Sequence, residues 1–386
     1  MMHRKLLHEV PAREQNGRDA IARFKAQYRA AAFQCLGLLK DAEVVAIYCD
    51  LHDDYVIKRI KDGEEYYDFF QVKTNNKKGF QWKVSDIFGF KKIKEQVTSN
   101  ILDSFFGKLM CHAVEFGDSC NTVNIQSNKD FNEDVYDIEG QFNTAVGTHK
   151  AYLYIKKEFK NIFPNSSSFD ESDIEACLSK FKVEGASEIV DIEGVNYLPL
   201  SRHAICENSE VDLSLEEVVE IIIGLLGLVE NKSSGIIEKW EKSEIDKHAS
   251  VCLDDVLGLM TISPTAYRYL KDGGDANALK HTSIIQRFFQ ETNASDGLIE
   301  YLCLCKSQYD QWNSDRKHFL NEFDFNLFKA DVNDMVVSWF KTGCGNKSFL
   351  KMANDYKRDS QSIIVKGMDA NVVVGALLSE VVRQKI

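Results

Sequence analysis

Asp54-Tyr55-Val56-Ile57, then Asp62-Gly63, then Phe69-Phe70-Gln71-Val72-Lys73-Thr74 decide how this chain is read. Residues 54–60 and 66–74 are rich in Val, Ile, Tyr and Phe, so each is expected to be a β-strand. Asp62-Gly63 between them is a favoured pair for a two-residue type I′ turn, in which both central residues need φ > 0. That turn pairs Lys61 with Glu64 and sets Asp54 opposite Gln71. Side chains alternate along a strand and cross-strand partners share a face, so Asp54, Gln71 and Lys73 converge. Asp53 is expected to face away, opposite Val72; a one-residue slip through Glu64 and Glu65 would exchange the two acids.

An acid, an amide and a lysine on one sheet face suit hydrolysis of a phosphodiester. The carboxylate of Asp54 and the neutral carbonyl oxygen of Gln71 can hold a hard cation, Mg²⁺ or Mn²⁺, which prefers oxygen ligands and keeps several waters. Lys73 can orient the nucleophile and offset charge building on the phosphorane. The alternative for the same residues is an exposed cross-strand ion pair of little consequence.

Asp54, Gln71 and Lys73 resemble the D…QxK variant of the PD-(D/E)xK nuclease motif. The likeness continues through Gly17-Arg18-Asp19, Arg23-Phe24-Lys25-Ala26-Gln27-Tyr28, Trp82, Ser104-Phe105-Phe106-Gly107-Lys108-Leu109 and Gln126-Ser127-Asn128-Lys129-Asp130-Phe131. Together these resemble the double-stranded DNA endonuclease domain of bacterial anti-phage effectors, found in CBASS effectors and in the nuclease subunit of Lamassu defence. The resemblance implies a restriction-endonuclease-like α/β fold, a mixed sheet flanked by helices, over roughly the first half of the chain. It also implies that Gln27 approaches the metal from the first helix. In Lamassu-like systems it implies an SMC-like ATPase partner, a small accessory subunit and an active homo-oligomer, with a tetramer as one form. The CBASS relatives instead carry an α/β cyclic-oligonucleotide sensor. A further alternative is a non-catalytic DNA-binding or scaffold subunit that keeps the fold, suggested by Gln71 where a second acid would stand.

Charge divides along the chain. Of the formal −12, residues 1–100 hold 18 Lys+Arg against 14 Asp+Glu, and the rest hold 29 against 45. The basic part carries the hairpin, and Lys77, Lys78, Lys83 and Lys92 after it are candidates to track DNA phosphates. No apolar leader is expected at Met1–Glu9, and the longest aliphatic run, 221–229, is too short to span a bilayer, so a soluble cytoplasmic protein is expected. The ten scattered cysteines are expected to be free thiols, Cys303 and Cys305 among them.

Within residues 18–40, the spacing of Ile21, Phe24, Tyr28, Ala31, Cys35 and Leu39 predicts an amphipathic helix. Residues 43–50 and 122–126 are predicted strands, and 85–112 one helix begun by a Ser85-Asp86 cap. The predicted division is a nuclease domain over 1–205 and an all-helical docking or oligomerisation domain over 206–386. The latter includes a helix after a Ser214-x-x-Glu217 capping box and a final apolar helix at 372–382, fit to be core or interface. Gly343-Cys344-Gly345-Asn346-Lys347-Ser348 lacks the glycine spacing of a phosphate loop and is expected to be a turn between helices.

Overall fold

A computed structural model describes residue 9 and residues 16–90, 98–209, 215–316 and 319–385. The chain divides into two compact units, residues 1–204 with 215–256, and residues 205–214 with 257–386.

The first unit begins with helix α1 (Asn16–Cys35) and strands β1 (Val44–Leu51), β2 (Asp53–Lys61) and β3 (Glu64–Lys73). There follow α2 (Val84–Phe88), α3 (Thr98–Leu102), α4 (Phe105–Phe116), β4 (Cys120–Ser127), α5 (Glu133–Thr144), α6 (Lys150–Ile162), α7 (Glu171–Ser179) and β5 (Phe181–Glu184). After α8 (Tyr197–Ser209), which crosses the division at residue 204, come α9 (Leu215–Ser233), α10 (Lys242–Ala249) and β6 (Ser250–Cys252). The six strands form one sheet in the order β5-β4-β3-β2-β1-β6. It is mixed: β6, β1, β2 and β3 pair antiparallel, while β3–β4 and β4–β5 are parallel.

The β2–β3 hairpin has the register predicted by its turn, from Lys61↔Glu64 to Tyr55↔Phe70. Asp62 (φ 53°) and Gly63 (φ 85°) both take the left-handed conformation that the two-residue turn demands. Alternation then sorts the strand side chains between the two faces. Val56 and Phe69 join the core formed with α4, α5 and α6, where Phe88, Phe106, Phe142 and Phe181 are buried. Each such side chain stabilises the fold by about 1.5–3 kcal/mol. Tyr55 stacks on Phe70 with centroids 4.6 Å apart. Tyr55 also hydrogen-bonds Gln34 of α1, the helix that runs against β1, β2 and β3.

Several sequence expectations are corrected. In α1 the buried residues are Ala26, Ala30, Ala31, Ala32 and Cys35, whereas Ile21 and Phe24 are 57% and 49% exposed. Small side chains let that helix lie close on the sheet, and its first two turns extend past the packed surface. The helix predicted over 85–112 is interrupted: α2 ends at a left-handed residue 89, and Ser104 starts α4 by accepting from Gly107 N–H at 3.1 Å. Gly107 is required there, because a Cβ would come within 2.0 Å of the Ile101 carbonyl oxygen.

The predicted division at 205/206 also moves. Residues 215–256 group with the sheet, because α9 packs on α1 and β1 and β6 pairs with β1. Ser214 and Lys92 lie outside the described residues.

The second unit is helical, with no strand among its described residues. It contains α12 (Pro264–Asp272), α13 (Ala278–Glu291), α14 (Asp296–Arg316), α15 (Glu322–Thr342), α16 (Asn346–Asp359), α17 (Ile363–Lys366) and α18 (Ala370–Lys385), while α11 (Leu253–Leu259) spans the division. The final helix is core: Val373, Leu377 and Leu378 are fully buried within the cluster formed with α13 to α16. Residues 343–345 form the turn between α15 and α16, and Cys303 and Cys305 are buried free thiols of α14. No helix among the described residues is long and apolar enough to cross a membrane.

Candidate active site

The end of the β2–β3 ladder gathers the predicted residues. The paired ladder ends at Tyr55↔Phe70, and Asp54 and Gln71 are the next residues beyond it on the two strands. The Val72 amide there is met by a side chain: Asp54 Oδ2 accepts its N–H at 2.5 Å. Asp54 Oδ1 accepts from Gln27 Nε2 of α1 at 2.8 Å, so the helix glutamine reaches the same carboxylate.

Lys73 lies on the other side of this group, its Nζ 4.3 Å from the Phe105 ring centroid at the start of α4. A cation over an aromatic face is held electrostatically while keeping its ammonium free for an anion. Asp54 and Lys73 influence each other's charge, yet no direct ion pair joins them. The inconsequential cross-strand ion pair is therefore not what these residues form.

Asp53 departs from its expected direction. Its Oδ2 is 3.4 Å from His112 Nε2 on α4, and its charge is felt by Lys73. The cause is the β1–β2 turn, where Asp50 (φ 51°) and His52 (φ 64°) are both left-handed and strict alternation fails. Strand periodicity could not signal this, nor the contribution of His112 from a distant helix.

Burial governs the charges here. It pushes the Asp54 carboxyl up to about 6, reinforced by Asp53 and opposed by Lys73 and the Val72 N–H. Burial also lowers Lys73, with Lys108 and Arg23 adding to the effect and Asp54 and Asp53 opposing it. Nearby, Gln71 Oε1 is buried with no hydrogen-bond partner. A buried acceptor without a donor costs about 1–3 kcal/mol and invites a cation or water.

The site is braced by Ser127, the last residue of β4, and by Asn128 after it. Trp82 Nε1 donates to Ser127 Oγ at 2.7 Å, which makes Trp82 an anchor. Asn128 Oδ1 accepts from Asn75 N–H at 2.9 Å, and its Nδ2 donates to the Asn75 carbonyl at 3.2 Å. A cleft of about 570 Å³ is lined by Gln27, Lys73, Thr74, Asn75, Trp82 and Phe105, with Asp19 and Arg23 at the α1 side, whereas Asp54 and Gln71 do not line it. Lys77 lines an adjoining cleft, whereas Lys78 and Lys83 are exposed and line neither.

No cluster of three or more His, Cys, Asp or Glu side chains among the described residues is arranged to hold a metal. The oxygen donors at hand are one or two carboxylates and an unpaired amide, a set that suits a cation retaining most of its water shell.

Residues 15–198 match the family model of Cap4, dsDNA endonuclease domain. This stretch is a DNA endonuclease domain. The match supports a nuclease effector of anti-phage defence. No curated protein matches the chain. Among solved structures, the chain is similar to the Acinetobacter baumannii Cap4 SAVED/CARF-domain containing receptor. With the cyclic trinucleotide 3′3′3′-cAAA, that receptor is 9% identical, with 77% of this chain and 69% of that chain covered and a TM-score of 0.36. Another structure of the same receptor is 9% identical over 73% of this chain and 66% of that chain, with a TM-score of 0.35. Likeness of that degree decides neither fold nor ligand.

Proposed function

We propose that this protein cleaves double-stranded DNA at the Asp54–Gln71–Lys73 cluster of a restriction-endonuclease-like fold, as the nuclease effector of an anti-phage complex. The observation that carries the reading is a half-buried carboxylate that desolvation pushes up, an unpaired amide oxygen and a partly desolvated lysine, all at the end of one hairpin. Asp54 and the Gln71 carbonyl would hold Mg²⁺ or Mn²⁺, with Gln27 fixing the carboxylate through its amide N–H. When bound, such a cation supplies Lewis-acid polarisation of a phosphate and a more acidic bound water. Lys73 offsets negative charge on the reacting phosphate from its seat over Phe105. Plasmid cleavage by the purified chain in Mg²⁺ or Mn²⁺, abolished by EDTA, is the expected result. Equal cleavage in EDTA would remove the metal from the mechanism.

The second unit, helical with no strand among its described residues, supports control by docking, as in Lamassu-type complexes with an SMC-like ATPase and a small accessory subunit, and by homo-oligomerisation on release. The family match over 15–198 supports a second reading, a CBASS-type effector activated by a cyclic oligonucleotide. Co-purification with an ATPase encoded alongside it favours the first. Cleavage switched on by a cyclic oligonucleotide alone favours the second.

A further inference from the structure

Helix α1 presents Asp19, Arg23 and Gln27 at successive four-residue intervals, which sets them along one face. Gln27 is bonded to Asp54, so that face is the one turned to the site. The main cleft adjoins a second, of about 240 Å³, and both are lined by Asp19, Arg23, Thr74 and Asn75. Lys77 lines only the second. Arg23 is exposed and, among the described residues, has no ion-pair partner, although Asp19 is one turn away. The opposite wall is preorganised: Asn128 holds Asn75 from both sides, and Asn75 Oδ1 accepts from Lys77 N–H at 2.8 Å.

We infer that Arg23, with Lys77, forms a subsite for a DNA phosphate neighbouring the scissile one, fixing the path of the cut strand across α1. The inference rests on the proposed endonuclease site. A guanidinium presents a planar fork of donors that matches a phosphate in two parallel hydrogen bonds, and this one is not consumed by another acceptor. A fixed second phosphate contact gives the strand a direction relative to Lys73, which a single contact at the reacting phosphate cannot do. Asp19 subtracts charge from the same cleft and so limits affinity for the duplex.

The test is fluorescence anisotropy of a short labelled duplex with the full-length chain, carried out on an Asp54→Asn background so that the probe stays intact. Arg23→Ala is expected to weaken binding several-fold and to reduce the slope of log K against log salt by about one, the signature of one lost phosphate contact. Asp19→Asn is expected to tighten binding. Arg23→Lys should keep most of the salt slope. An unchanged affinity and slope in Arg23→Ala, with the thermal transition preserved, overturns the subsite. Persistent cleavage by the Asp54→Asn chain overturns the catalytic assignment separately, and the slope still decides the subsite.

Discussion

The two units each bury a group of charged side chains, and they treat them oppositely. In the helical unit, Lys306 Nζ lies 2.6 Å from both Asp275 and Asp310, and His281 Nδ1 lies 2.7 Å from Asp275. Every charge there has a direct partner. Burial alone would raise Asp275, but His281 and Lys306 outweigh it and hold the carboxyl well below the usual range. At the hairpin, burial prevails over Lys73, so Asp54 is pushed up, and Gln71 Oε1 is left without a donor. The same chemical groups thus close into direct ion pairs in the one unit, and in the other leave a raised carboxyl with no ion pair to its lysine. A buried polar group without a partner, such as Gln71 Oε1, calls for completion by water, an ion or a ligand.

The contrast breaks most readily at Lys306. Lys306→Met takes from Asp310 its ion-pair partner and from Asp275 one of its two, His281 remaining, and should destabilise the chain by about 3–5 kcal/mol in urea unfolding. A loss too small to measure would mean that the network is incidental. At the hairpin, Asp54→Asn should do the reverse: cleavage falls by about 10²–10³-fold, the usual effect of removing a principal stabilising group from an active site, while the unfolding midpoint holds or rises. A large stability loss with full activity would reclassify Asp54 as structural.

Acid should sharpen the comparison. Asp275 has a lower pKa folded than unfolded, so its stabilising contribution is complete above its unfolded value, about 4, and is lost as pH falls through and below it. Asp310, raised by burial against the pull of Lys306, acts in the opposite sense. Comparing the parental chain with Asp275→Asn isolates the first effect: the variant should lose less stability between neutral and acidic pH. The smallest expected change is in Gln27→Ala, which removes one hydrogen bond to a charged group and should lower cleavage by about tenfold. No change would leave Gln27 as a helix residue that merely lies nearby.

How much was legible in the sequence is set by the range of the forces. The hairpin register can be read because Asp62-Gly63 fixes a two-residue turn and period-two alternation does the rest. The convergence of Gln27 on Asp54 comes through the family resemblance, since helix periodicity alone says nothing about which glutamine meets which strand. The exposure of Ile21 and Phe24 is not legible, because an apolar stripe does not state how far the packed surface extends. The grouping of residues 215–256 with the sheet depends on β6, three residues whose pairing with β1 is a contact across the sequence that no local pattern encodes. The pairing of Asp53 with His112 is hidden for the same reason, compounded by two left-handed residues in the preceding turn.

The central claim is that the end of this hairpin cuts DNA, and single-turnover cleavage of supercoiled plasmid by Lys73→Ala beside the parental chain tests it most directly. With metal in excess and both proteins matched for fold and oligomeric state, the parental chain should nick and linearise the plasmid while the variant is slower by about two orders of magnitude or more. Equal rates would contradict the assignment of the site.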